Sequence, residues 1–210
     1  MNKNISNFWN HFEENYFGLH IINELEPHQR KQKLDNLDNH LKNYSKQLGY
    51  LIESGKNQSK LTITAHGNPY LFKSVELLVH HAPKLQYWKI CAFIQPEKNL
   101  EKYINGTDKP FIYYGITLKI SEMKFTPLQN PQAPFSLGIQ VLLKNYILHS
   151  YNKNLTQAIH TLLEHLIGEK AFANDLDYID IAQLSCSYNS EKTFDLYNLI
   201  LFIENFKKNL

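Results

Sequence analysis

Three consecutive residues, His66-Gly67-Asn68, have the composition of a ligand-facing turn. They follow the alternating run Leu61-Thr62-Ile63-Thr64-Ala65 and precede Pro69 and a helical pattern. Gly67 can adopt positive φ, Asn68 can cap the first free N–H groups, and proline fits the first helical position. Such a turn offers backbone donors and the positive end of a helix dipole to an anion. Trp88 is the candidate wall of a pocket there, and Glu164 and Glu169 the candidate polar contributors. The ligand-binding set expected from sequence is therefore His66, Gly67, Asn68, Trp88, Glu164 and Glu169. Phosphate loops use repeated glycine or a lysine, and this turn has neither, so a plain capping turn competes with a ligand site.

Other reactive side chains give weaker patterns. His80 and His81 are adjacent on a helix and point about 100° apart, a poor chelating arrangement. His160 with Glu164 and His165 with Glu169 have i, i+4 spacing, which serves a metal or a solvated face equally well. No HExxH motif or cysteine cluster supplies a third ligand, so no metal and no cofactor are expected. Cys91 lies in an apolar run where a thiol is inert, and no G-x-S-x-G elbow presents a serine. Glu76, Glu164 and Glu169 are conceivable acid–base groups, yet each has a solvent-facing explanation, so no catalytic residue is assigned. Glu169 follows Gly168, where an acid near a helix C-terminus opposes the dipole.

The elements that must hold these residues read as follows. A first helix is expected from a Ser6 cap, carrying Phe8, Trp9, Phe12, Tyr16 and Leu19. A second follows Glu26-Pro27 and runs to about Leu48, with Leu34, Leu37, Leu41, Tyr44 and Leu48 spaced as a heptad seam; an antiparallel helix pair or a helix on a sheet suits two heptads better than a free coiled coil. Tyr50–Glu53 and Leu61–Ala65 form a hairpin, and the helix with Leu71, Val75, Leu78 and Val79 stops at Ala82-Pro83. The apolar run Tyr87–Ile94 suggests a strand in mid-sheet. Pro96–Pro110 reads as a surface loop. Strands are expected over Phe111–Ile120, Phe135–Leu143 and Tyr178–Tyr188, with Cys91 and Cys186 in strands. The three prolines of Thr126–Pro134 argue against regular pairing there. Asn154 caps a helix with the stripe Leu155, Ala158, Ile159, Leu162, Leu163, Leu166, Ile167, and Gly168 ends it. A last helix spans Thr193–Lys208.

Strands that follow one another without crossover helices point to an α+β fold. The expectation is one mainly antiparallel or mixed sheet of about six strands with helices packed on it and an N-terminal helical pair. Residues 1–48 form that helical segment, and 49–210 the α+β domain of a single compact whole.

The run Ile63-Thr64-Ala65-His66-Gly67, with Phe72, Val75-Glu76, Leu78-Val79, Ala82-Pro83, Leu85, Trp88 and Ala92-Phe93, resembles a segment of uncharacterised bacterial domain-of-unknown-function proteins. Leu162-Leu163-Glu164-His165-Leu166-Ile167-Gly168-Glu169 is similar to an acidic Leu-Gly-Glu helix end in the same proteins, with Glu164 where aspartate is expected. The likeness covers Leu61 to Leu184. It implies a fold and no activity.

Composition narrows the class further. The chain has 210 residues and a formal net charge of +2, without a block of like charges that would track a nucleic-acid backbone. The basic cluster His28–Lys33 sits beside Asp35 and Asp38 and reads as a solvated helix face. The start lacks an apolar h-region, no run of eighteen apolar residues occurs, and cytoplasmic residence is expected. The aromatic residues Tyr87, Trp88, Phe111, Tyr113 and Tyr114 fill a core or, if the outward set converges, bind a partner. The expected function is a non-enzymatic interaction or regulatory domain with a protein partner or homodimer, and neither nucleic acid nor membrane as partner. The alternative is a small-molecule-binding domain or enzyme with its site at His66-Gly67-Asn68.

Overall fold

A computed structural model describes residues 3–130, 132–185 and 192–209. The chain is α+β and forms two compact units, Met1–Ile94 and Gln95–Leu210, so it divides within the region expected to be one domain rather than at residue 48. The reason lies in the cores: each unit has its own hydrophobic cluster, and the two share no residue.

In the first unit, α1 (Lys3–His20) and α2 (Pro27–Tyr44) pack as an antiparallel pair, with Asn4 bonded to the carbonyl of Asn43 and His11 against His40. The Asn4 bond ties the first turn down, and the helix begins at Lys3 rather than at the expected Ser6 cap. The stripe Ile5, Phe8, Trp9, Phe12 and Leu19 is buried, each side chain contributing roughly 1.5–3 kcal/mol by leaving water. Leu37 and Leu41 supply the facing seam of α2. That helix stops at Tyr44, because Ser45 turns extended and returns its N–H to the carbonyl of Leu41; Leu48 then enters the core from the connection.

Below the helices lies a three-stranded sheet of order β1-β2-β3, formed by β1 (Gly49–Glu53), β2 (Ser59–Thr64) and β3 (Trp88–Ala92). The expected β1–β2 hairpin is present, and β3 runs parallel to β2 after the crossover helix α3 (Phe72–His80). The strand in mid-sheet is β2, with five of its six residues buried, whereas the apolar run of β3 lies at the edge.

The second unit holds a separate hairpin, β4 (Phe111–Tyr113) with β5 (Ile116–Leu118), and a four-stranded sheet of β6 (Lys124–Asn130), β7 (Ala133–Leu143), β8 (Tyr178–Gln183) and β9 (Phe194–Asp195) in the order β8-β7-β6-β9. Among the described residues, nine strands thus form three small sheets of three, two and four, not one sheet of about six. Tyr114 and Gly115, at φ 44° and 80°, make the tight turn that splits the expected strand over 111–120. Pairing occurs where proline argued against it: β6 (Lys124–Asn130) aligns with β7 (Ala133–Leu143), and Pro127 sits opposite Ile139. The other neighbour, β9 (Phe194–Asp195), reaches only Lys124 and Phe125, so Pro127 stands at an effective edge where no donor is required.

The expected loop 96–110 contains a short helix, α4 (Glu101–Ile104), whose Tyr103 is buried and stacks on Tyr197. After α5 (Tyr146–His149), helix α6 (Leu155–Ile167) buries all seven residues of its expected stripe. Asn154 stands at its N-cap position without a side-chain cap bond, while the Asn152 carboxamide oxygen accepts the Asn154 N–H at 3.0 Å. Gly168, at φ 86°, ends α6 and starts α7 (Glu169–Asp175), which leads into β8 (Tyr178–Gln183), parallel to β7. The final helix α8 begins at Leu199, five residues beyond the β9 start, and Cys186 lies outside the described residues.

Candidate functional site

The turn after β2 is built by two consecutive positive-φ residues, His66 at 52° and Gly67 at 71°. Its bonds are local: the Asn68 N–H donates to the carbonyl of Ala65 at 3.1 Å, and the His66 N–H to Thr64 Oγ1 at 2.9 Å. Asn68 caps as its sequence position requires, its Oδ1 accepting the Tyr70 N–H at 3.1 Å. The His66 backbone is exposed to strain that glycine avoids, and its side chain has a defined seat. A Cβ added to Gly49 would come within 2.3 Å of His66 Nε2, so the imidazole occupies the space that the missing side chain leaves.

Trp88 does not wall this turn. In the parallel pair it stands opposite Ser59 at the start of β2, whereas the turn follows Thr64 at the other end, roughly 20 Å away at the strand rise of ~3.3 Å per residue. Its indole N–H donates to the carbonyl of Tyr16 at 3.0 Å and its ring meets Phe12 edge-on, so it is a core residue under α1. His66, Gly67 and Asn68 belong to the first unit, and Glu164 and Glu169 to the second.

The two carboxyls do come together. Glu164 lies on the last turn of α6, Gly168 turns the chain, and Glu169 opens α7, entirely buried. Glu169 thus stands at a helix N-terminus, where the dipole favours an acid, rather than opposing one as the sequence suggested. Burial, reinforced by the charge of Glu169, pushes the Glu164 carboxyl up to about 7. Its Oε1 is buried without a hydrogen-bond partner. One turn back on the same face, His160 packs against Phe172 of α7 at 5.5 Å between centroids, and burial lowers its pKa. A half-protonated carboxyl beside a second acid can exchange a proton near neutral pH. Among the described residues no group of three His, Cys, Asp or Glu side chains is disposed to hold a metal ion.

Sequence reading missed three features. Ser59 Oγ lies 2.7 Å from His20 Nδ1, but Ser59 is fully buried, and a serine without access to substrate holds α1 to β2 rather than attacking. His11 and His40 stack face to face across α1 and α2. They are equidistant from the Leu25–Glu26 turn, a signal that an antiparallel pairing makes readable. The third is an apolar surface: Tyr114, Ile147, Leu148 and Tyr151 are 74, 69, 77 and 96 % exposed. Asn152 Nδ2 donates to the Tyr114 carbonyl at 3.1 Å and so joins the β4–β5 tip to the α5 end of the same unit. Ile147 and Leu148 lie on α5, and Tyr151 follows it in the turn after Ser150, so no helical periodicity in the sequence marked the group.

Comparison of the chain with family models, with curated proteins and with solved structures finds no match.

Proposed function

We propose that this chain is a non-enzymatic cytoplasmic interaction or regulatory domain that binds a protein partner through the second unit. The observation that carries the reading is the cluster Tyr114, Ile147, Leu148 and Tyr151, four large apolar side chains each more than two-thirds exposed around one bonded corner. Isolated exposed apolar residues are ordinary, whereas four such residues, two of them tyrosines, on segments joined by one hydrogen bond have the make-up of an interface centre. Of the large apolar residues on the first and last helices, chiefly Phe17 and Leu201 are exposed. No described helix is long and apolar enough to cross a membrane.

The test compares proteins captured from cell extract, and the sedimentation of the purified chain, for wild type, Leu148→Asp with Tyr151→Asp, and the control Tyr70→Ser in the first unit. A partner retained by wild type and control but lost by the double variant supports the reading. Self-association lost in the same pattern would identify the partner as a second copy. Identical behaviour of all three proteins rejects the surface.

A second reading, a small-molecule site or enzyme, has one observation in its favour: the unpartnered buried Oε1 of Glu164 beside Glu169. Perturbed carboxyls of this kind concentrate at functional sites. The turn His66-Gly67-Asn68 is its other location, now without Trp88. Thermal-shift screening of a metabolite library against wild type, Glu164→Gln and His66→Ala tests it. A hit lost in one variant supports that location, and no hit on wild type argues against both.

A further inference from the structure

The seam between α1 and α2 carries a line of polar side chains: Lys33, Asn15, His11 and His40. We propose that this line is an acid-labile clasp, in which protonation of His11 and His40 releases α1 from the core of the first unit. The two imidazoles stack at 3.8 Å between centroids and 8° between planes. Two neutral rings, or one neutral and one charged, tolerate that arrangement; two cations at this distance repel.

The bonding around His11 sets its neutral form. Asn15 Oδ1 lies 3.4 Å from Lys33 Nζ, which can only donate, so the carboxamide is oriented with its oxygen toward Lys33. Asn15 Nδ2 then donates to the His11 carbonyl at 2.9 Å and faces His11 Nδ1 at 3.5 Å. Nδ1 therefore meets a donor and accepts; a proton there would set N–H against N–H. The Lys33 chain lies over Gly18, in space that an added Cβ, 2.7 Å from it, would contest.

The charged groups acting on His11 are known from both helices. Burial is the largest influence, His40 and Lys33 of α2 also disfavour its charge, Glu14 on its own helix favours it, and the net direction is downward from 6.5. Asp38 and Lys42, flanking His40 on α2, pair with each other. A group whose folded pKa is depressed stabilises the fold fully above 6.5 and loses that contribution as pH falls through the folded value. At low pH the seam holds Lys33, His11 and His40 as three cations. What α1 then uncovers is an aromatic face, Phe8, Trp9 and Phe12, so the device presents apolar surface only in acid.

The chain has two tryptophans, and both report on α1: Trp9 lies on it, and Trp88 bonds to its Tyr16 carbonyl. Emission of the full chain is followed from pH 8 to pH 5, with far-UV circular dichroism alongside, for wild type, His11→Phe and His40→Phe. The expected result is a red shift of wild-type emission with a midpoint below 6.5 and helix content largely kept, absent from both variants. Unchanged wild-type emission, or the same shift in the variants, overturns the proposal. If a variant does not fold at pH 8, the imidazole C–H resonances of His11 in wild type decide: they must titrate in the window of the emission change, and titration outside it overturns the proposal equally.

Discussion

One buried group in each unit, His11 in the first and Glu164 in the second, answers protons in the opposite direction to the other, although both units combine helices with a small sheet. In the first, titratable groups sit between two helices, where burial disfavours the charged form of His11 and the contribution of that group to the fold is lost as pH falls below 6.5. In the second, burial beside another acid raises the Glu164 carboxyl, so this group binds its proton more tightly in the folded unit than in the unfolded chain between 4.5 and about 7. Its stability from Glu164 is fully present below 4.5 and is lost as pH rises through about 7. The difference shows that burial has no fixed consequence for pH response: it depends on whether the buried group is a base or an acid and on what faces it.

The sharpest way to break the comparison is to empty one core. Phe12 is fully buried against Trp9 and Trp88, and Phe12→Ala should cost about 3–5 kcal/mol. The loss should appear in the tryptophan unfolding transition while amide protection of β7 is unchanged; equal loss in β7 would show that the cores are not separate. Next in size, Gly168→Ala places a side chain at φ 86° and should destabilise the second unit by roughly 1–3 kcal/mol, read as lost protection in α6 and α7.

A smaller effect sharpens the proton argument. Glu164→Gln removes the carboxyl without removing its bulk, and in chemical denaturation it should stabilise the second unit at pH 8 by about 1 kcal/mol, allowing for solvent screening, with little gain at pH 4.5. A gain independent of pH would detach Glu164 from the linkage. The least, Asn68→Ala, removes a cap bond and should cost roughly 0.5–1 kcal/mol in the first unit, at any pH from 5 to 8.

How far each region could be read from residues follows the same division. The segment from Leu61 to Ala92 was legible because its signals are local: alternation in β2, Gly67 and Asn68 at the turn, and a complete helical stripe. Helix α6 was legible for the same reason, all seven stripe residues being buried. Strand order was not, since the apolar run of β3 is compatible with a central strand until the register to β2 alone is known. Pro127 misled because its tolerance depends on how short β9 is, a fact about a segment some seventy residues away. Of the candidate site, the proximity of Glu164 and Glu169 was implicit in their spacing across Gly168, but the change of helix there reversed the meaning of Glu169. Trp88 failed as a pocket wall because parallel pairing puts the start of β3 beside the start of β2, away from the turn.

Native-state hydrogen exchange at pH 5.5 and pH 8, corrected for intrinsic exchange rates, tests the central contrast in one experiment. Opening free energies should fall for α1 amides at the lower pH and for α6 and α7 amides at the higher. A change of the same sign in both units would contradict the account.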